Sequence, residues 1–414
     1  MGTHSSTCVP ASGRFVQVPG AGATTTQITA TLRLVGHTPA PTIPCYKSRL
    51  LRIATSDPPM AQSPQPLKFL SPAWFTIVMG FCGLSLAWHR AAGLMGELAD
   101  GIALVLGGVA ALLFVALAAA SVLRLQRHPE AWKDDRQHPV RHAFMAAIPA
   151  AGILLATVST ALFGAGFVTA DPASGVVVEK GLLQQLTAGL WWAASLGQLG
   201  ATLWVMQRWW LGNKAGGLNW PAVTPALLIP VVGNVLVPLA GVTLGYPGWS
   251  AAQFGIGLVF WPLVLALLLV RLAVQGLWPE RVMPSAFILI APPAVMALSA
   301  LQLGAPAAVA WGFWGVSLFC LLWVAPLLKR IGSLPFGAGH WALSFPLAAL
   351  AGLTLALAEP GSLLAVAGPM LLALTSLMFV GLTLATVRGL REGSLLAPEQ
   401  VATIQPIGAP LDGR

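Results

Sequence analysis

Two histidines four residues apart, His138 and His142, carry the spacing in this 414-residue chain that most invites a metal reading. Arg136 and Arg141 flank them, and no Cys, Asp or Glu stands where it would complete a tetrahedral set. The pair therefore reads as part of a solvated basic loop. There is no His-Glu-x-x-His, no paired set of carboxylates and no Gly-rich phosphate loop with its lysine. Metal chemistry, acid–base catalysis, a bound cofactor and ATP-driven pumping all lack the residues they need. What remains inside the long apolar stretches is mild: the hydroxyls of Thr157, Ser299 and Ser344 and the amide of Asn234. Such groups can solvate a passing solute weakly, or equally serve as interhelical hydrogen-bonding contacts.

The elements that must position them are membrane spans. A helix needs about 20 apolar residues to cross the hydrocarbon core, because lipid offers no partner to an unsatisfied backbone amide. Ten such stretches follow one another, at 72–88, 101–123, 143–166, 182–206, 221–244, 249–274, 284–303, 306–328, 341–358 and 363–387. All thirteen acidic residues fall outside them. With 56% hydrophobic and 8% charged residues, the chain is expected to be an all-α integral membrane protein whose spanning domain covers 68–390. The tail at 1–67, rich in Thr, Pro, Ser and Gly, is expected to be disordered, with 1–59 lying upstream of a true start at Met60. Residues 391–414 form a second tail.

The net charge of +9 does not mark a nucleic-acid binder, since the basic residues are spread over alternate loops. Arg124, Arg127, Lys133, Arg136 and Arg141 precede the third span; Arg208, Lys214, Arg281, Lys329, Arg330, Arg388 and Arg391 fall in other loops of the same set. The opposite set holds Arg90 and Lys180. That asymmetry places both termini in the cytoplasm of a multi-pass cell-membrane protein. Arg271, inside span six, reads as snorkelling to the headgroups. Trp209, Trp210, Trp220, Trp278 and Trp341 stand at span ends and read as interface anchors. Cys82 and Cys320 read as small packing residues.

Proline recurs in the odd-numbered spans. Span three has Ile148-Pro149-Ala-Ala-Gly152, span five Ile229-Pro230-Val-Val-Gly233, span seven Ala291-Pro292-Pro293 and span nine Phe345-Pro346, while span one carries Gly80 and Gly83. Pro262 and Pro369 are the corresponding residues of even spans six and ten. Because an interior proline removes a hydrogen bond and bends a helix, the pattern predicts five hairpins, each a bent helix followed by a straighter one. Five bent helices around a central pore in quasi-fivefold arrangement would leave kink-freed carbonyls lining a cavity, where they are tolerated. A path without acids does not repel anions.

Several segments resemble the tellurite-resistance and C4-dicarboxylate transporter family, which includes a bacterial tellurite-resistance permease, fungal malate and sulfite permeases and the slow anion channels of plant guard cells. They are Ser71-Pro-Ala-Trp-Phe-Thr-Ile-Val-Met-Gly80 with Gly83-Leu84, Pro225-Ala-Leu-Leu-Ile-Pro-Val-Val-Gly233, Phe254-Gly-Ile-Gly257, Phe260-Trp261, Pro284-Ser-Ala-Phe-Ile-Leu-Ile-Ala-Pro-Pro293 and Trp341-Ala-Leu-Ser-Phe-Pro346, spanning about 70–390. The resemblance implies a homotrimer with one pore per subunit, lined by the odd-numbered helices and occluded by a phenylalanine at the position of Phe345. Pro149, Thr157, Pro230, Asn234, Pro292, Ser299, Ser344 and Pro346 are the pore-lining candidates. The long phosphorylatable termini of the plant channels are missing, so kinase gating is not carried over. The expected function is passive passage of small inorganic or organic anions. A proton-coupled carrier or efflux permease for dicarboxylate, sulfite or tellurite-type substrates is the alternative, and a receptor or scaffold without transport is a third class.

Overall fold

A computed structural model describes residues 66–164, 181–212, 214 and 217–396, all within one compact unit. Among them every regular element is helical: α1 (Phe75–Met95), α2 (Glu97–Arg127), α3 (Pro129–Gln137), α4 (Ala147–Phe163), α5 (Leu182–Gln207), α6 (Leu228–Val235), α7 (Val237–Gly241), α8 (Pro247–Gln275), α9 (Ala291–Gln302), α10 (Ala307–Val324), α11 (Leu328–Ile331), α12 (Ser344–Ala356) and α13 (Leu363–Arg391). Pro66 and Leu67, the last residues of the tail expected to be disordered over 1–67, begin a 3-10 turn at Pro66–Phe69 instead; the rest of that tail, the start at Met60 and the end of the C-terminal tail lie outside the described residues.

Among the described residues, eight helical segments are long and apolar enough to cross a membrane, in place of the ten expected spans. The other two are helical but fall short for different reasons. Helix α5 is long, yet Gln184, Gln185 and Gln198 dilute its hydropathy. The stretch Pro225–Gly241 is apolar but short, and it breaks at Leu236 between α6 and α7.

The prolines do not kink the odd-numbered segments in the way an interior proline would. Each of these segments begins as a 3-10 helix and converts to α: Pro72–Trp74 before α1, Arg141–Ala146 before α4, Pro225–Leu227 before α6, Glu280–Ile290 before α9 and Ala338–Leu343 before α12. Pro149, Pro230 and Pro346 each occupy the third α-helical position, and Pro292 with Pro293 the second and third. The first N–H groups of an α-helix have no intrahelical partner, so proline there removes no α-helical bond. Segment one makes the same conversion with its proline, Pro72, at the start of the 3-10 turn and none in the first turn of α1. In contrast, Pro262 and Pro369 lie inside α8 and α13.

The converting segments are also the buried ones. Between 61% and 94% of their most apolar stretch is covered by protein for segments one, three, seven and nine, against 17–28% for α2, α8, α10 with its continuation, and α13. Helix α1 packs on α4 and α12, α4 on α6 and α7, these on α9, and α9 on α12, so the five inner segments touch in a closed cycle. Outside them, α2 lies against α1 and α4, α5 against α4 and α6, α8 against α6, α7 and α9, α10 against α9 and α12, and α13 against α12 and α1. Close crossings need glycine: a methyl on Gly257 of α8 would collide with Val235 Cγ1 of α6, and one on Gly241 of α7 with Ser250 Oγ and Trp191.

The segment 124–142 is not the solvated loop expected from its charge. It folds into the end of α2, α3 and the following 3-10 turn around Asp135, which is fully buried. Arg124 Nη1 donates to Asp135 Oδ2 at 2.6 Å, and Arg124 also donates to the carbonyls of Lys68 and Ala131. Arg141 Nη1 lies 3.0 Å from the other oxygen, close enough for an ion pair though not aligned as a hydrogen bond. His142 is buried, and its ring meets Trp204 edge-on. Arg136 and Arg208 each stack on the same indole, 5.5 Å from its centroid. Burial first, and then the charge of Arg136, lower the Arg208 pKa below the ordinary arginine value.

Other polar residues also change role. Arg271 is buried, donates to the Gly276 carbonyl at the end of its own helix and covers Trp278, so it caps α8 rather than snorkelling. Trp278 and Trp341 are buried rather than interfacial, and their indoles donate to Val223 O and Thr386 Oγ1. Trp210 and Trp220 remain exposed. Cys82 and Cys320 are buried free thiols, consistent with packing.

Candidate functional site

Where the 3-10 halves give way to α-helix, the inner segments leave a small cavity of about 40 Å³. Helix α1 contributes Thr76 and Met79 to its wall, α6 contributes Ile229, Val232 and Gly233, and Leu236 follows. Ile288 and Ala291 come from the α9 junction, and Trp341, Ala342, Phe345 and Pro346 from the α12 junction. No carboxylate, amine or guanidinium stands in this wall. Its polar atoms are occupied: Thr76 Oγ1 donates to Ala73 O at 2.7 Å and Trp341 Nε1 to Thr386 Oγ1 at 2.9 Å. Any ion placed here would meet hydrocarbon and aromatic edges that cannot replace its hydration shell.

Phe345 sits at the second position of α12, and only 6% of it is exposed. Opposite it on α1 stands Gly83, where an added Cβ would lie 2.9 Å from Phe345 Cδ2 and 3.2 Å from the Ala348 methyl. Glycine at 83 therefore makes the space the phenyl ring fills. One turn earlier, a methyl on Gly80 would collide with Ser344 Oγ. Below the ring, Trp341 is packed by Phe81 and Phe379, each with its centroid 5.8 Å from the indole. That aromatic cluster fixes the start of α12 against α1 and α13 and with it the height of Phe345.

Of the residues singled out from the sequence, Phe345 and Pro346 are in the cavity wall. The others are placed elsewhere. Ser344 Oγ donates to Trp341 O at 2.6 Å, and Thr157 Oγ1 to Ile153 O at 2.9 Å, each bonding within its own helical segment. Asn234 turns toward α5, with Nδ2 donating to Thr202 Oγ1 at 2.8 Å and to Pro230 O at 2.9 Å. Pro230 O also accepts from Gln198 Nε2 and Thr202 Oγ1, so that carbonyl is spent on an α5–α6 contact. Ser299 Oγ donates to Val235 O, joining α9 to α6. Pro149 lines a separate groove with Phe114, Trp132 and Leu190, and Pro292 is buried at the start of α9 without reaching the cavity wall.

Sequence reasoning missed Thr76, Met79, Ile229, Val232 and Ile288. They are ordinary apolar or hydroxyl residues, and what marks two of them is a register visible only in the structure: Thr76 and Ile229, like Phe345, occupy the second α-helical position after a 3-10 start.

Comparison with known proteins follows the same stretch of chain. The family model described as "Voltage-dependent anion channel" matches residues 70–387. The tellurite resistance protein TehA homolog of Haemophilus influenzae is 26% identical over 290 residues, 68% of this chain and 79% of that protein. An uncharacterized transporter of Methanocaldococcus jannaschii is 25% identical over 313 residues, 68% of this chain and 82% of that protein.

Proposed function

Since the chain belongs to the voltage-dependent anion channel family, whose members are anion transporters or channels and not enzymes, we propose that it is an anion channel or uniporter whose path runs through the cavity closed by Phe345. In this reading ten helices cross the bilayer as five hairpins, the inner five surround a quasi-fivefold pore, and α5 and the Pro225–Gly241 stretch count as the two shorter or more polar spans. The observation that carries it is the wall itself: apolar, without a carboxylate, ringed by four helix junctions and bordered by the Phe345 ring. A coupled proton carrier needs a titratable relay in its path, and this wall offers none. Small inorganic or organic anions then move down their electrochemical gradient once the ring is displaced.

Planar-bilayer recording of purified protein with a panel of anions tests this. Currents reversing at the chloride equilibrium potential support the channel. Flux that collapses with the proton gradient would move the assignment to the coupled carrier of dicarboxylate, sulfite or tellurite-type anions, and neither behaviour would leave a scaffold.

Orientation and assembly belong to the same proposal. With the basic end in the cytoplasm, reporter fusions after Asp135, Lys214 and Arg330 should read as cytoplasmic and those after Met95 and Pro360 as external; an external signal at Asp135 would overturn the orientation. A homotrimer with three separate pores should appear as three chains in native mass spectrometry from lipid discs, and a stable monomer would sink it.

A further inference from the structure

Arg90 is not the outer-loop residue its sequence position suggested; it lies within α1, one and a half turns before the helix ends at Met95. At 3.6 residues per turn, Thr76, Met79, Gly83 and Arg90 fall within an arc of about 60° on α1. The first two line the cavity and Gly83 faces Phe345, so Arg90 continues the stripe that faces the path. The other sides of the helix are accounted for: Phe81 and Trp88 meet Phe379 and Ser376 of α13, while Ser85 and His89 bond to Ala103 O and Asp100 of α2.

The guanidinium reaches toward α12. A Cβ added on Gly352 would lie in ordinary contact with Arg90 Nη1, at 3.5 Å, which places the guanidinium beside α12. Gly352 follows Phe345 by seven residues and Arg90 follows Gly83 by seven, so the charge stands about 10 Å along the helices beyond the ring. Among the described residues its side chain makes one hydrogen bond, a long one from Nη1 to Leu86 O at 3.4 Å. Among the described residues none of the ion pairs includes Arg90, and its neighbour His89 has turned away to pair with Asp100 at 2.7 Å. A half-buried cation with no carboxylate partner, aimed along an apolar path, has capacity left for a mobile anion.

We propose that Arg90 is a selectivity-determining residue: a fixed positive charge on the permeation path, two helical turns beyond Phe345, that gathers small anions at the outer side of the ring. The assignment rests on the pore reading above. It predicts that the charge raises local anion concentration when salt is low and stops mattering when salt screens it.

The test uses full-length protein carrying Phe345→Ala, so that the path conducts, recorded in bilayers with potassium chloride. Adding Arg90→Gln should lower chloride conductance roughly fivefold at about 0.02 M salt, as for loss of a unit charge near contact distance in water, and reduce the chloride-to-potassium permeability ratio. The gap should close near 1 M salt, where the Debye length is about 3 Å. Arg90→Lys should keep most of the conductance. Arg90→Cys should regain it when a cationic methanethiosulfonate is applied from the outer side and lose more with an anionic one. Equal conductance of the Gln and Arg forms at low salt would remove Arg90 from the path while leaving the pore intact. A silent Phe345→Ala channel would instead overturn the pore reading on which both rest.

Discussion

Replacing Phe345 with alanine is expected to turn a closed protein into a conducting one. The ring fills the space left by Gly83 between α1 and α12 and forms part of a wall that holds no group able to replace an anion's water. As the gate of the proposed path, its barrier is one of dehydration. If its removal lowers that barrier by even about 3 kcal/mol, conductance rises on the order of a hundredfold. The measurement is bilayer conductance beside thermal unfolding of the same preparation. A residue whose role is packing alone would behave in the opposite way, losing about 3–5 kcal/mol of stability for a buried Phe→Ala and gaining no current. Phe345 borders the cavity on one face, so its loss enlarges an existing space, and stability should stay close to that of the parent. Destabilised protein with unchanged conductance would return Phe345 to the core.

The largest loss of stability should come from a residue outside the cavity wall. Asp135 is fully buried between Arg124 and Arg141, and Arg124 is itself only 2% exposed. Asp135→Asn leaves two guanidinium groups without a counter-charge at a place where one of them cannot reach water. Removing one partner of a buried pair costs about 3–5 kcal/mol, because the other charge stays desolvated. The expected result is a markedly lower unfolding temperature in detergent and a poor yield of folded protein. Replacing both partners, as Arg124→Met with Asp135→Leu, should recover part of the loss, since an apolar pair of similar volume often matches a buried ion pair. Unfolding of Asp135→Asn at the parental temperature would mean that water reaches this cluster, and the pair would then count as a surface salt bridge.

How much of this was legible in the residues differs from element to element. The apolar stretches were readable because lipid punishes any unsatisfied amide or fixed charge, so length and the absence of Asp and Glu mark a span directly. The special character of the odd-numbered segments was readable from Pro149, Pro230, Pro292 and Pro346, though as bends. That each proline begins an α-helix after a 3-10 turn depends on the hydrogen-bonding register of the preceding residues, and segment one reaches the same geometry with its proline, Pro72, in the 3-10 turn and none at the start of α1.

Direction was not readable. In a soluble helix the apolar face marks the core, but lipid is as apolar as a protein interior, so hydrophobic periodicity carries little information about which side of a span faces inward. Nothing in the sequence therefore told Asn234 to turn toward Thr202 on α5, Ser299 toward Val235, or Thr76 and Ile229 into the cavity. The same ambiguity put Arg90 in a loop and the tryptophans 278 and 341 at the headgroups, whereas packing against α12, Val223 and Thr386 draws all three inside. The chain's residues by themselves determined that it is a helical membrane protein, which family it resembles and where its helices change character. Only the tertiary structure decided which side chains face one another across the cavity, because in a bilayer that choice is made by contact between helices and not by the contrast between oil and water.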